Sequence, residues 1–345
     1  MSPTRLFIFA SAAVMAVAVT ILTVEALAAK EDRTAVITAH NLTRAETDAR
    51  FADYVKYGSF GKFRHGREFG SVESQPTPFF NRDVLVSIAV FDLDAGPVTI
   101  ELPDPKGRFM SLVTLNQDGM EQALGYDKGQ FVLSRTRFGT RYVSAAVRFA
   151  VQSERADDVD QVHALQNSVA AVQPGGPGRI EVPGWTSPRS SGTDERIITL
   201  SSTVWAAAVS RAVGRGNQAT TSVAAIGPYP DTDTLDLEVV PSRNDATAIY
   251  KLVLKDVPVD GFWSVSLYTA QGYFKRNRLN AYNITSTSAK ADPDGSITVQ
   301  FGGCDGRPPN CLPTVPDWNY VVRLYRPREA ILTGAWTLPG AVPMN

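Results

Sequence analysis

FNRDVLVSIAVFDLDAGPVTIELPD, residues 80–104, decides how the chain reads. It opens on three hydrogen-bonding side chains in a row, Asn81, Arg82 and Asp83. An apolar, β-rich run follows, then the turn signal Ala95-Gly96-Pro97, then a second such run. Comparable runs recur at GRFMSLVTL (107–115), GQFVLS (129–134) and TRYVSAAVRFAVQ (140–152). Four more follow at TAIYKLVLKDV (247–257), GFWSVSLYTA (261–270), GSITVQFGG (295–303) and NYVVRLYRP (319–327). Short strands at this spacing predict antiparallel sandwiches or barrels rather than βαβ units.

Two helices interrupt this pattern. NLTRAETDARFADYVKY (41–57) has Thr43 and Glu46 at capping-box spacing and an apolar stripe through Ala45, Ala49, Ala52, Phe51 and Val55. DDVDQVHALQNSVAAVQ (157–173) repeats Val159, Val162, Leu165, Val169 and Val172 at three- and four-residue steps. His163 lies beside that stripe, where a structural role is the simpler expectation. PGGPGRIEVPGWTSPRSSGTD (174–194) reads as a crossing between domains, with a helix expected around residues 196–213. The expected divisions are 1–28, a leader or uncleaved anchor; 29–175, an N-terminal β domain with flanking helices; and 176–345, a C-terminal β domain.

The 34 Lys and Arg balance 35 Asp and Glu, so no charge excess points to nucleic acid or anionic lipid as a partner. MSPTRLFIFASAAVMAVAVTILTVEALAAK (1–30) has Arg5, an apolar run from Leu6 to Val24, and Ala26-Leu27-Ala28. That is the order of a secretory signal peptide, with cleavage expected after Ala28. The run is also near bilayer-spanning length, so an uncleaved inner-membrane anchor facing the periplasm is the alternative. Both readings export the body of the protein, to the periplasm or beyond, and only the second gives it a membrane contact. In an oxidising compartment Cys304 and Cys311, with six residues between them in CDGRPPNC, read as a local disulfide. No His or third Cys stands near them, so no metal is expected there.

Catalytic signatures are sparse. The chain has no G-x-S-x-G, H-E-x-x-H, P-loop or G-x-G-x-x-G pattern. Ser59 and Lys62 fall at S-x-x-K spacing without companion motifs, and no cofactor is implied. In an extended segment Asn81 and Asp83 face one way and Arg82 the other. They serve either as a hydrogen-bonded strand start, with Asp83 paired to Arg323 or Arg108, or as the polar corner of a ligand cleft. Trp263, Tyr268 and Tyr325 are suited to stacking on a ring, although alternating strand aromatics also build cores.

NLTRAETDARFADYV, FNRDVLVSIAVFDLDAGPVTIELPD, GRFMSL, GTRYV and VHALQ resemble the bacterial domain of unknown function 1254. DVPVDGFWSVSLYTAQGYF, NAYNIT, VQFGGCDG, NCLP and WNYVVRLYRPREAIL resemble its companion, domain of unknown function 1214. The resemblance implies an exported protein, mainly β with added α-helices, of two jelly-roll-like β-sandwich domains, with no established reaction. Three places depart from the pattern. Val84 and Val86 stand where relatives carry a hydroxyl and a phenol in N-R-D-T-L-Y-S. LNQDGMEQ (115–122) replaces a His-Tyr region, and AIGPYPDTDT (225–234) replaces a G-W-G-G-N-P-like segment. If those positions line a cleft, this member has a changed ligand or a lost activity.

The leading expectation is a protein that binds a small molecule or saccharide between two sandwiches. Asn81, Arg82 and Asp83 would fix polar groups, Trp263, Tyr268 and Tyr325 would stack, and Arg323 would meet an anion. The alternatives are a hydrolase or lyase with Asp83 as candidate general base, and a structural envelope protein, including a homo-oligomer.

Overall fold

The computed structural model describes residues 34–38, 40–75, 77–152, 155–186, 222–226 and 229–344. The expected leader and the helix expected around 196–213 lie outside these residues. The described chain is mainly β with a few helices. In order, its first half holds β1 (Thr34–Val36), α1 (Leu42–Lys56), β2 (Arg64–His65), β3 (Val84–Asp92), β4 (Val98–Leu102), β5 (Met110–Asn116), β6 (Glu121–Gly125), β7 (Gly129–Leu133), β8 (Tyr142–Ala150), α2 (Ala156–Asn167), β9 (Ala170–Val172) and β10 (Gly184–Thr186). The second half holds β11 (Ser222–Ile226), β12 (Thr234–Val240), β13 (Tyr250–Leu254), β14 (Trp263–Tyr268), β15 (Asn283–Thr285), β16 (Ile297–Phe301), β17 (Cys311–Leu312), β18 (Asn319–Tyr325) and β19 (Val342–Pro343).

Each half is a two-sheet sandwich. In the first, a five-stranded sheet ordered β2-β3-β8-β5-β6 faces a three-stranded sheet β7-β4-β9. Leu85, Ala89 and Phe91 of β3 pack with Val98, Ile100 and Leu102 of β4 and with Val143, Ala145, Val147 and Phe149 of β8. The period-2 alternation read from the sequence puts these residues on one face. In the second half the sheets are β11-β12-β18-β14-β15 and β17-β16-β13-β19. Trp263, Val265 and Leu267 share that core with Tyr320, Val322, Leu324, Leu252 and Phe301. The Cys304–Cys311 disulfide forms beside β16 and β17, both cysteines buried.

Three local expectations change. The Thr43–Glu46 capping box does not form, because α1 begins at Leu42 with Asn41 as N-cap. Thr43 sits inside the first turn, and its carbonyl accepts from the Thr47 hydroxyl (2.8 Å). The second helix stops at Asn167, and Ala170–Val172 pairs with β4 instead, Val172 opposite Thr99. Short apolar runs fit either period, and here an available sheet edge decides. After Pro174 the chain stays on the first sandwich for some distance. The Tyr142 hydroxyl donates to the Arg179 carbonyl (2.9 Å), Arg141 pairs with Glu181 (2.8 Å), and β10 pairs in parallel with β1.

The two sandwiches meet through the outer faces of their five-stranded sheets. Ser264, Ser266 and Tyr268 of β14, Arg323 and Tyr325 of β18, and Thr234 and Asp236 of β12 lie opposite the core-facing residues of their strands. All seven are nonetheless buried, since the first sandwich covers them.

Candidate functional site at the domain seam

The opening triplet fastens this seam. The Asp83 side chain is fully buried. Its Oδ2 accepts from the Ser264 hydroxyl (2.5 Å) and the Tyr325 hydroxyl (2.9 Å), and its Oδ1 accepts from Asn283 Nδ2 (2.7 Å). Asn81 Oδ1 accepts the Asp83 N–H (2.7 Å), while Asn81 Nδ2 donates to the Tyr325 oxygen (2.7 Å). Among the described residues no arginine pairs with Asp83: Arg323 is taken by Asp236 and Arg108 by Asp158. Neutral donors from the second sandwich satisfy the carboxylate instead. Arg82 turns away, donating to the Gly70 carbonyl (2.8 Å) with its guanidinium over Phe69 and Tyr282.

Arg323 is a second fastener. Its Nε donates to Asp236 Oδ2 (3.0 Å), Nη1 to Ser266 Oγ (3.2 Å), and Nη2 across the seam to the Phe79 carbonyl (2.8 Å). The Tyr268 hydroxyl crosses to the Phe80 carbonyl (2.9 Å) and is pushed up to about 12 by burial. Burial also raises Asp236, against the pull of the Arg323 guanidinium.

Beside this network lies a cavity of about 670 Å³, within the range of small-molecule sites. The first sandwich supplies Tyr54 of α1, Tyr57 just after it, Phe69, the Pro78-Phe79-Phe80 loop, Asn81, and Val84, Val86 and Ile88 of β3. The second supplies Tyr229, Asp236 and Arg323. The wall is therefore chiefly apolar and aromatic. Its buried polar side chains are Ser59 and the Asp236–Arg323 pair, and the exposed Asp53, Arg64 and Glu68 also line it.

The expected site residues separate accordingly. Asn81 and Arg323 line the cavity. Arg82, Asp83, Trp263, Tyr268 and Tyr325 do not; Trp263 belongs to the second core, and Tyr325 stacks on Phe262 with ring centroids 4.0 Å apart. Of the departures from the resembled pattern, Val84, Val86 and Tyr229 all line it. Asp236 was missed, because its alternation with Leu235 and Leu237 reads as an ordinary solvent face. Phe79 and Phe80, directly before the triplet, were the available aromatic signal. His163 Nε2 donates to the Arg67 carbonyl (2.7 Å) and does not line this cavity. Among the described residues no cluster of His, Cys, Asp and Glu is arranged for a metal ion, and no helix is long and apolar enough to cross a membrane.

Residues 60–130 match the family described as a protein of unknown function, DUF1254, and residues 234–329 match the protein of unknown function DUF1214. A crystal structure of the VPA0106 protein from Vibrio parahaemolyticus is similar over 88% of this chain and 98% of its own, with a TM-score of 0.60 and 15% identity. An uncharacterised protein from Burkholderia cenocepacia covers 89% of this chain and 88% of its own, with a TM-score of 0.49 and 14% identity. At 15% identity the likeness to the Vibrio protein is one of fold. No curated protein matches the chain by sequence.

Proposed function

We propose that this chain, which carries both the DUF1254 and the DUF1214 region, is an exported protein that binds a small, largely apolar molecule at the seam between its two sandwiches. The carrying observation is the cavity of about 670 Å³ whose aromatic and aliphatic wall is built by both halves around the Asn81 amide and the Asp236–Arg323 pair. Such a wall favours a ring or short acyl body with one polar end over a saccharide, which needs hydroxyl partners on every side. Val84 and Val86, in place of the hydroxyl and phenol of the resembled pattern, support a ligand retuned toward apolar chemistry. The leader-like first 28 residues and the Cys304–Cys311 link support export to the periplasm or beyond.

The test is calorimetric titration of the purified protein with phenols, aromatic acids and medium-chain acids. Val86→Phe, which fills the cavity, runs in parallel. Binding to the native protein that Val86→Phe abolishes without lowering the melting temperature is the expected result. Binding that survives the filled cavity would overturn the assignment.

One feature favours the catalytic alternative, a hydrolase or lyase: Asp236 is a cavity carboxyl that burial shifts toward keeping its proton. With a ligand in hand, Asp236→Asn would then bind it and fail to turn it over. Equal turnover by both forms removes that reading.

A further inference from the structure

A second cleft, of about 630 Å³, opens at the same seam. It shares no lining residue with the first cavity. The small apolar cluster of Val84, Phe262 and Tyr325, with Phe109 and Ala150, stands between the two. We propose that this second cleft is a saccharide site, independent of the apolar cavity.

Its chemistry is the reverse of the first. Phe109 and Tyr126 of the first sandwich, both half-buried, give it aromatic surface suited to the C–H face of a sugar ring, and the buried Phe262 of the second backs Phe109. Around them stand both donors and acceptors in fixed positions. Arg108 grips Asp158 at two points, Nη1 to Oδ2 (2.9 Å) and Nη2 to Oδ1 (2.6 Å), and donates to the Ala150 carbonyl (2.7 Å). That pair keeps little exposure, 16% and 11% for the two side chains.

Across the cleft Arg326 is held just as firmly. Its backbone is left-handed (φ 54°), a conformation uncommon outside glycine. Its N–H donates to the Asp233 carbonyl (2.8 Å), and its own carbonyl accepts from Asp260 N–H (2.9 Å). The guanidinium lies 4.3 Å from the Tyr126 ring centroid and joins no ion pair among the described residues. Gln152 and Thr287 complete the rim, the Gln152 amide donating to the Thr287 carbonyl (3.3 Å) across the seam.

Vicinal hydroxyls donate and accept at once, so they suit a surface that offers carboxylates and guanidinium groups side by side. The lining carries four acidic side chains, Asp104, Asp127, Asp158 and Asp260, and four basic ones, Lys106, Arg108, Lys128 and Arg326. This balance selects no net ligand charge. The cleft is open to solvent at Lys106, Asp127, Lys128 and Thr287, so an extended chain can pass through it.

The experiment titrates the purified full chain with hexasaccharides of cellulose, chitin, starch and polygalacturonate type. Two variants accompany it. Thr287→Trp obstructs the exposed rim of this cleft, and Val86→Phe fills the other cavity. The expected result is binding of at least one hexasaccharide, weakened about tenfold or more by Thr287→Trp at an unchanged melting temperature and unaffected by Val86→Phe. Binding indifferent to Thr287→Trp, or removed by Val86→Phe, overturns the proposal. So does failure of all four saccharides to bind.

Discussion

Arg148 of the first sandwich and Asp233 of the second form a fully buried ion pair, with neither side chain exposed. Arg148 sits in the middle strand of its sheet, with Val86 opposite on one side and Ser111 on the other. Its Nε donates to Ser111 Oγ (2.9 Å), its Nη2 reaches Thr234 Oγ1 (3.0 Å), and its guanidinium lies 3.9 Å from the Tyr229 ring centroid. Among the described residues Arg148 Nη1 and Asp233 Oδ1 have no hydrogen-bond partner. The pair therefore specifies how the halves meet more than it stabilises the meeting.

Removing one partner strands the other charge in a dry place. Arg148→Met should cost about 3–5 kcal/mol. The double variant Arg148→Met with Asp233→Leu should recover most of that loss. Equilibrium denaturant unfolding of the native protein, both single variants and the double gives the coupling directly. A double variant as unstable as the sum of the singles would contradict this account.

Asp83→Asn replaces an anionic acceptor that gathers three donors with a neutral amide. A loss of about 2 kcal/mol is expected, since charge-assisted bonds exceed neutral ones. Asp83→Ala, which leaves the Ser264, Tyr325 and Asn283 groups unpaired, should cost more. Thermal melts check the ranking, and an unchanged melting temperature in Asp83→Asn would count against a fastening role.

Glu121 carries a pH dependence of unusual sign. Burial lifts it from its ordinary 4.5 to about 7, with Arg50 and Arg148 pulling down and Asp233 pushing up. The folded chain then holds this proton more tightly than the unfolded chain. Its contribution is fully present below pH 4.5 and is lost as pH rises from there through about 7. Glu121→Gln removes the penalty, so the variant should melt higher than the native protein at pH 8 and alike at pH 4. The same difference at both pH values would refute the assignment.

Reducing Cys304–Cys311 reopens a short loop beside β16 and β17. The chain-entropy contribution of so short a loop is about 2–3 kcal/mol. Melts with and without a phosphine reductant should differ by about 5 °C or more if the second sandwich limits stability. Coincident melts would show that the first sandwich unfolds earlier.

The strands were legible because alternation is a local signal. Trp263, Val265 and Leu267 fall on one face by spacing alone, and the core receives them. The opposite face was misleading for a physical reason. Ser264, Ser266 and Asp236 carry the polarity of a wetted surface, yet another sandwich covers them. Their partners, Asp83 for Ser264 and Arg323 for Ser266 and Asp236, lie up to 181 residues away in sequence, a distance no periodicity spans. The triplet at 81–83 was recognisable as polar and close to a seam. Which of its side chains faces the cavity depends on the register of β3 against the second sandwich, and that is a tertiary fact. Helix α2 was overextended because Val169 and Val172 satisfy both periods.

The apolar cavity is walled by Tyr54, Phe79 and Val86 on one side and by Tyr229, Asp236 and Arg323 on the other. An occupant would thus act as mortar between two bricks. Any free energy it gains from touching both is also resistance to prying them apart. Two separate melting steps in the empty protein would draw together into one as the cavity fills, and calorimetry would register the ligand as cooperativity before any assay registered it as chemistry.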